Sequence, residues 1–420
     1  MKRIVFITKI TPTEENFHGP SALMFHLLKN RPEETELSIY TLNTNKVPDE
    51  VIEQNTKILN CRIKKFSHTK IDCILNKEKV YRLRSVFTHK PVLPGGSYLK
   101  LNKNILNEIK ELNPDLIWLY PHSVIGYAQQ LSHDYRNIIV TGPDCASLHQ
   151  SRYWRDSSAF SQNQSLNLRQ YEKILNLERT LGNIPNLFIH LVGKTDEEYF
   201  NIITGSNKGL FFPHPHYNLT EKNSPDKTNK RFKVVISGKL DLYTISDFTK
   251  LLSLLKTTKS SILKEKFEFL FIGKTWQQAS KELQNHGYMT TQLDWVENYI
   301  STIAQCDIQL LPISVGSGTK GKTLDALSNG LLCIGSRYAF ENIAVQDKKD
   351  CFIYHKTEEI IHILEDIANN PECIKKMGET GMQNIRAYHN PKQIVTSILN
   401  YIETKTFSTD NNCYYYVPLK

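Results

Sequence analysis

The sequence has no run of 18 apolar residues, so no membrane-spanning helix is expected. Its eight cysteines form no C-x-x-C pair, and several sit in apolar runs. That pattern fits reduced, mostly buried thiols in a cytosolic chain better than disulfides or a zinc site. The opening stretch, MKRIVFITKI, is apolar for too few residues to act as a secretory signal and reads as a first buried strand. No solenoid-type repeat is present. Acidic residues are nearly missing from residues 62–103. There, eleven lysines and arginines face only Asp72 and Glu78, so the segment carries an excess of nine, equal to the formal charge of the whole chain. Such a segment attracts phosphates, anionic headgroups or an acidic acceptor, or else forms a solvated basic face.

What is present is an alternation. Short apolar runs at 4–8, 37–42, 116–120, 137–141, 187–192 and 209–212 predict strands, with helical patterns between them such as 21–29 and 166–181. The polar stretch 221–233, EKNSPDKTNKRFK, has the composition of a linker. Strands are then expected at 233–237, 268–272, 308–311 and 332–335. Helices are expected at 246–256, 276–285, 296–305, 322–328, 357–369 and 371–388. Continuous apolar strands alternating with helices predict parallel sheets covered on both faces, here in two doubly wound α/β domains. Ligands of such sheets bind at the carboxyl ends of the strands.

The segment CDIQLLPISVGSGTKGKTLDALSNG, residues 306–330, runs from a strand through a glycine-rich turn into a helix. Amide groups at a helix start suit a phosphate, and Lys320 or Lys322 can add charge. Gly316, Gly318 and Gly321 match G-x-G-x-x-G. Gly316, Gly321, Lys322 and Thr323 match the P-loop pattern. A P-loop normally opens its domain, with several strands following, whereas only one or two follow here. A dinucleotide fingerprint wants an acid at the end of the next strand, and that strand ends at Ser336.

The segment resembles the donor-binding loop and helix of the retaining GT-B glycosyltransferases called family 4. Members read strand, proline, glycine-rich turn, then K-x-L-E-A-x-x-x-G. This chain has Leu311-Pro312, Gly316-Ser317-Gly318-Thr319, Lys322-Thr323-Leu324-Asp325-Ala326 and Gly330. The resemblance is weak at the start and good over 233–390. It implies a GT-B fold, two Rossmann-like domains facing each other across a cleft. The expected divisions are 1–225 on the acceptor side, 226–390 on the donor side, and a helix and tail at 391–420 crossing back to the first domain.

It also implies roles. Lys322 contacts the donor diphosphate, and Asp325 stands where members carry a ribose-binding glutamate. Gly316, Ser317, Gly318 and Thr319 form the donor loop, with Ser317 replacing a sugar-facing glutamate of many members. Gly238 and Lys239 stand beside the diphosphate. Trp295 and Val296 meet the nucleotide base, and Trp295 is either a stacking ring or a core tryptophan. Gly19, in Phe17-His18-Gly19-Pro20-Ser21, reaches the donor from the first domain. Asp144 lies near the sugar. Lys239, Lys322 and Asp144 form the expected catalytic set.

His214 and His216 have the spacing of a metal pair but lack further ligands nearby in sequence. No D-x-D occurs, which argues against a metal-dependent GT-A enzyme. No cofactor is expected beyond the substrate, a UDP- or GDP-linked sugar. The implied activity is sugar transfer to a saccharide, lipid-linked or other acceptor, in surface polysaccharide or glycoconjugate biosynthesis. The expected setting is cytoplasmic, peripheral to an anionic membrane through residues 62–103, with no nucleic-acid partner. Three rival readings remain: a P-loop NTPase, a nucleotide-sugar epimerase, and a non-catalytic sugar-nucleotide binder.

Overall fold

The computed structural model describes residues 3–17, 20–89, 91–156, 164–220, 231–407 and 415–417. The chain divides into two compact units. The first comprises Met1–Trp154, Ala159–Pro215 and Pro391–Thr409, and the second is mainly His216–Asn390.

In the first unit the order is β1 (Arg3–Thr8), α1 (Ala22–Lys29), β2 (Glu36–Thr41), α2 (Asp49–Ile58), β3 (Arg62–Lys65), α3 (Lys70–Leu75), α4 (Glu78–Thr88) and α5 (Lys103–Leu112). It continues with β4 (Leu116–Tyr120), α6 (Ile125–Leu131), β5 (Ile138–Gly142), α7 (Ala146–Asp156), α8 (Gln164–Gly182), β6 (Leu187–Leu191), α9 (Lys194–Thr204) and β7 (Gly209–Phe211). The strands pair in parallel in the order β3-β2-β1-β4-β5-β6-β7. The continuous apolar runs of β1 and β4 are explained by burial on both faces. On β1, Val5 and Ile7 join one core, while Ile4 and Phe6 join the other. Burying each such side chain contributes about 1.5–3 kcal/mol.

The second unit holds β8 (Phe232–Ser237), α10 (Ile245–Thr257), α11 (Ser261–Lys266), β9 (Phe267–Ile272), α12 (Gln277–Asn285), β10 (Met289–Leu293), α13 (Tyr299–Ile303) and β11 (Ile308–Leu311). After these come α14 (Gly321–Ser328), β12 (Leu332–Ser336), α15 (Arg337–Phe340), β13 (Cys351–Tyr354), α16 (Glu359–Asn369) and α17 (Glu372–Tyr388). Its parallel sheet has the order β10-β9-β8-β11-β12-β13. Here too alternate residues serve opposite cores, with Val234 and Ile236 on one face and Val235 on the other. The closing helix α18 (Pro391–Thr404) belongs to the first unit. Its stripe Ile394, Val395, Ile398, Leu399 and Ile402 is buried in the same core as α1.

Both sheets reverse their winding at one point, between β1 and β4 in the first and between β8 and β11 in the second. These switch points are where open α/β sheets place ligands. Several elements differ from expectation. Strands β3, β10 and β13 were not anticipated. β3 and β10 lie at sheet edges, and β3 is RIKK and β10 MTTQL, too polar for an apolar-run signal. The helix expected over 296–305 begins only at Tyr299, because the Asn298 side chain accepts a hydrogen bond from Ser301 N and caps it there. Ten residues of the proposed linker, 221–230, lie outside the described residues.

Candidate functional site

The switch point of the second unit gathers the glycine and lysine residues expected to serve a donor. β8 ends at Ser237, and Gly238 follows with φ +109°, a backbone state that side-chain-bearing residues rarely adopt. A Cβ at Gly238 would lie 1.9 Å from the Lys322 ammonium nitrogen. That space is already taken by the lysine, whose Nζ donates to the Ser237 carbonyl at 3.4 Å. The Gly238 carbonyl accepts from Trp276 Nε1 at 2.9 Å. It also sits only 2.1 Å from where a Cβ of Gly273 would be, so two glycines allow neighbouring strand ends to meet. Trp276, buried to 1%, therefore locks the turn. It carries no motif signal in the sequence beyond marking the start of a helix.

Lys322 is on the first turn of α14. Desolvation by surrounding protein lowers its pKa, while the carboxylates of Asp241 and Asp325 act in the opposite sense. One turn on, Asp325 accepts from Asn218 Nδ2 at 2.9 Å. Burial raises the Asp325 carboxyl to about 6, against the lowering effects of Asn218 and Lys322. Asn329 ties the 218–220 segment to the same helix. Its Nδ2 donates to Asn218 O at 2.8 Å, and its Oδ1 accepts from Thr220 N at 2.9 Å. Gly330, with φ +76°, ends α14 in a Schellman arrangement, Leu331 N donating to Ala326 O at 3.1 Å and Gly330 N to Leu327 O at 3.0 Å. The terminal glycine of the K-x-L-E-A-x-x-x-G pattern thus has a local conformational cause.

The loop before α14 is buried from Val315 to Gly318. Gly316 (φ +155°) and Gly318 (φ +65°) shape it. Lys320, the other lysine able to add charge, turns inward. Its Nζ donates to the carbonyls of Ser317 at 2.7 Å and Gly318 at 3.1 Å, so its charge serves the loop's own backbone. Ser314 fastens the loop to the β8–α10 connection, donating from N at 2.7 Å and from Oγ at 2.9 Å to Tyr243 O. Thr319 is half-buried beside Lys320. Under this surface Ser237 Oγ and the Tyr299 hydroxyl lie 2.7 Å apart, and burial pushes the Tyr299 phenol up.

The P-loop reading meets a structural obstacle. Thr323, whose hydroxyl such a loop needs for a metal-bound phosphate, is fully buried, and its Oγ1 donates to Ala339 O at 2.8 Å.

Lys239 is exposed just past the turn. Trp295 is 73% exposed, which removes the core-tryptophan alternative, while Val296 packs against the second unit's core. Asp294, before them, accepts from Gln292 and Gln277 side chains.

In the first unit, Asp144 lies two residues beyond β5 and is half-buried. It shares its corner with two residues that belong to no sequence motif, Lys9 and His122. Lys9 Nζ donates to Ser123 O at 3.0 Å, and burial lowers its pKa to about 8. His122 is held toward its neutral form mainly by desolvation, with Lys9 adding to that and the Asp144 carboxylate opposing it. The loop is anchored from behind by two buried acids. Cys145 N donates to Asp196 Oδ1 at 2.8 Å, and Ser147 N donates to Glu178 Oε1 at 3.2 Å. They occupy amide groups at the start of α7. Gly19 lies outside the described residues. His214 and His216 are each lowered to about 4 by burial.

Residues 252–400 match the family described as glycosyl transferase-like. No curated protein matches the sequence significantly. Among solved structures, HepE of Anabaena in complex with UDP is similar at 12% identity and a TM-score of 0.62, covering 96% of this chain and 100% of HepE. Sucrose-phosphate synthase of Thermosynechococcus elongatus is similar at 12% identity and 0.61, covering 96% and 99%. The lipopolysaccharide outer core galactosyltransferase WaaB is similar at 13% identity and 0.58, covering 96% and 100%. The chain has the two-domain α/β fold of the GT-B glycosyltransferases, and its 252–400 segment is glycosyl transferase-like.

Proposed function

We propose that the protein transfers a sugar from a nucleotide-diphosphate sugar to a saccharide or lipid-linked acceptor. The observation that carries this is the Lys322 ammonium lying over the Gly238 turn at a sheet switch point, one helical turn from the half-buried Asp325. In this reading the diphosphate binds against Lys322, the start of α14 and the exposed Lys239. Asp325 accepts from the ribose hydroxyls. Trp295 offers its open face to the base. HepE has been solved with UDP, with UDP and glucose, and with UDP-glucose, which supports a UDP-sugar as the first donor to test.

During transfer the bond between the anomeric carbon and the diphosphate oxygen breaks, the acceptor hydroxyl oxygen bonds to that carbon, and the hydroxyl proton passes to the departing diphosphate. Negative charge grows on the departing diphosphate. Cations and amide dipoles already in place stabilise it without reorganising. In the first unit Asp144, with His122 and Lys9 in the same corner, is the group proposed to face the sugar. We read the reaction as retaining and independent of a divalent ion, with the products serving surface polysaccharide or glycoconjugate assembly. Activity that persists in a chelator, and an unchanged anomeric configuration by NMR, are the expected results. Residues 62–103 are proposed to hold the cytoplasmic enzyme against an anionic membrane.

A thermal-shift screen against UDP-, GDP-, ADP- and CMP-sugars tests the donor. One class is expected to stabilise the protein by about 2.7 kcal/mol at a hundredfold excess over its dissociation constant. No response to any sugar nucleotide overturns the reading.

A further inference from the structure

The α3–α4 hairpin has an unusual surface. No residue of α3 is buried. Ile71, Ile74 and Leu75 are exposed by 68%, 53% and 41%, and on α4 Leu83, Val86 and Phe87 by 66%, 68% and 79%. Each trio has i, i+3, i+4 spacing, which places it on one face of its helix. Single exposed apolar residues need no explanation, but two such stripes on adjacent helices do. Lys70, Lys77, Lys79 and Arg82 are exposed among them.

The hairpin's two acids are engaged locally. Asp72 accepts from Thr69 Oγ1 at 2.6 Å, and Glu78 pairs with Arg82 at 2.9 Å and Lys173 at 2.7 Å. The base of the hairpin is fixed to the first unit by the Glu78–Lys173 pair and by His68 Nε2, 2.6 Å from the Tyr127 hydroxyl. A fixed base and bare apolar stripes amid cations are the features of an interfacial membrane element.

We propose that α3–α4 is a membrane-insertion element, its apolar stripes entering the headgroup region of an anionic bilayer while its lysines meet lipid phosphates. The charge excess of residues 62–103 selects an anionic surface as the occupant. The proposal rests on the reading that this segment faces a membrane and goes beyond charge attraction to insertion. It does not depend on the transfer reaction.

The test is co-sedimentation of the full chain with phosphatidylcholine vesicles, with and without phosphatidylglycerol, across a salt series. Two variants are compared, Leu83→Ser/Val86→Ser/Phe87→Ser and Lys70→Gln/Lys77→Gln/Lys79→Gln. The wild type is expected to bind only the anionic vesicles. The charge variant should lose about a hundredfold at low salt, since each cation near the surface is worth about fivefold. The apolar variant should lose at least about tenfold and keep its donor-induced thermal shift. Full binding by the apolar variant overturns insertion and leaves only electrostatics. Absence of wild-type binding to anionic vesicles overturns the membrane reading itself. A dimer in solution that the apolar variant disperses overturns the lipid assignment, because the stripes then pack on a second copy.

Discussion

The two switch points occupy the same place in two sheets of the same winding, and they are filled differently. After β1 the chain closes on itself. Thr11 N donates to Asn45 Oδ1 at 2.9 Å, Thr11 Oγ1 donates to Asn43 Oδ1 at 2.8 Å, and Lys9 spends its ammonium on Ser123. After β8 there is a glycine, and the space above its backbone belongs to the side chain of a lysine from the helix after β11. Among the described residues, the first corner pairs Thr11 with Asn43 and Asn45 and Lys9 with Ser123. The other holds a cation against a carbonyl at 3.4 Å, a long contact that an anionic oxygen can replace. Shared topology therefore offers two sites, and side-chain chemistry decides which suits a diphosphate.

The sharpest way to break this contrast is Lys322→Ala. It should lower transfer by about a hundredfold or more, corresponding to about 3 kcal/mol, with the circular dichroism spectrum intact. Near wild-type turnover would remove the distinction between the two corners.

Gly238→Ala should come close in effect, by another route. The new methyl displaces the Lys322 amine and strains a backbone at φ +109° by about 1–3 kcal/mol. Donor affinity and melting temperature should fall together, whereas Lys322→Ala spares the melt. If the glycine variant binds donor normally, the amine's position over the turn does not matter.

Asp325→Asn should cost about 2 kcal/mol of donor binding, the value of hydrogen bonds to a charged group. Its pH profile is the more specific readout. The folded carboxyl titrates at about 6, above its ordinary value, so the folded state holds a proton that the unfolded state has lost between about 4 and 6. Stability therefore falls as pH rises through that window. Donor affinity should instead rise through pH 6, as the ionised acceptor forms. Both trends should flatten in Asp325→Asn, as followed by melts and titration calorimetry across pH.

Much of this was readable beforehand, for definite reasons. Strand 116–120 is a short continuous apolar run buried on both faces, a pattern with few alternatives. The glycine loop announces itself because its φ values demand glycine at fixed spacings. The remainder depends on partners distant in sequence. Trp276 reaches Gly238 across 38 positions, and Asn218 reaches Asp325 across 107. Nothing local marks either contact. Lys320 and Lys322 look equivalent as a motif. Only the folded loop shows that one amine turns back onto its own carbonyls. The edge strands β3 and β10 were hidden because a half-solvated strand needs little apolar sequence.

The smallest expected effect concerns Trp295. Its exposed ring should contribute about 1–3 kcal/mol if a base stacks on it. Trp295→Ala should weaken the donor about tenfold at an unchanged melting temperature. A lowered melt with unchanged affinity would make the ring structural.

The most direct measurement is a crystal structure with UDP or a UDP-sugar bound. Diphosphate oxygens are expected within hydrogen-bonding distance of Lys322 Nζ, next to Gly238, with the ribose at Asp325. A nucleotide bound away from this turn, with Lys322 still on the Ser237 carbonyl, would contradict the donor assignment.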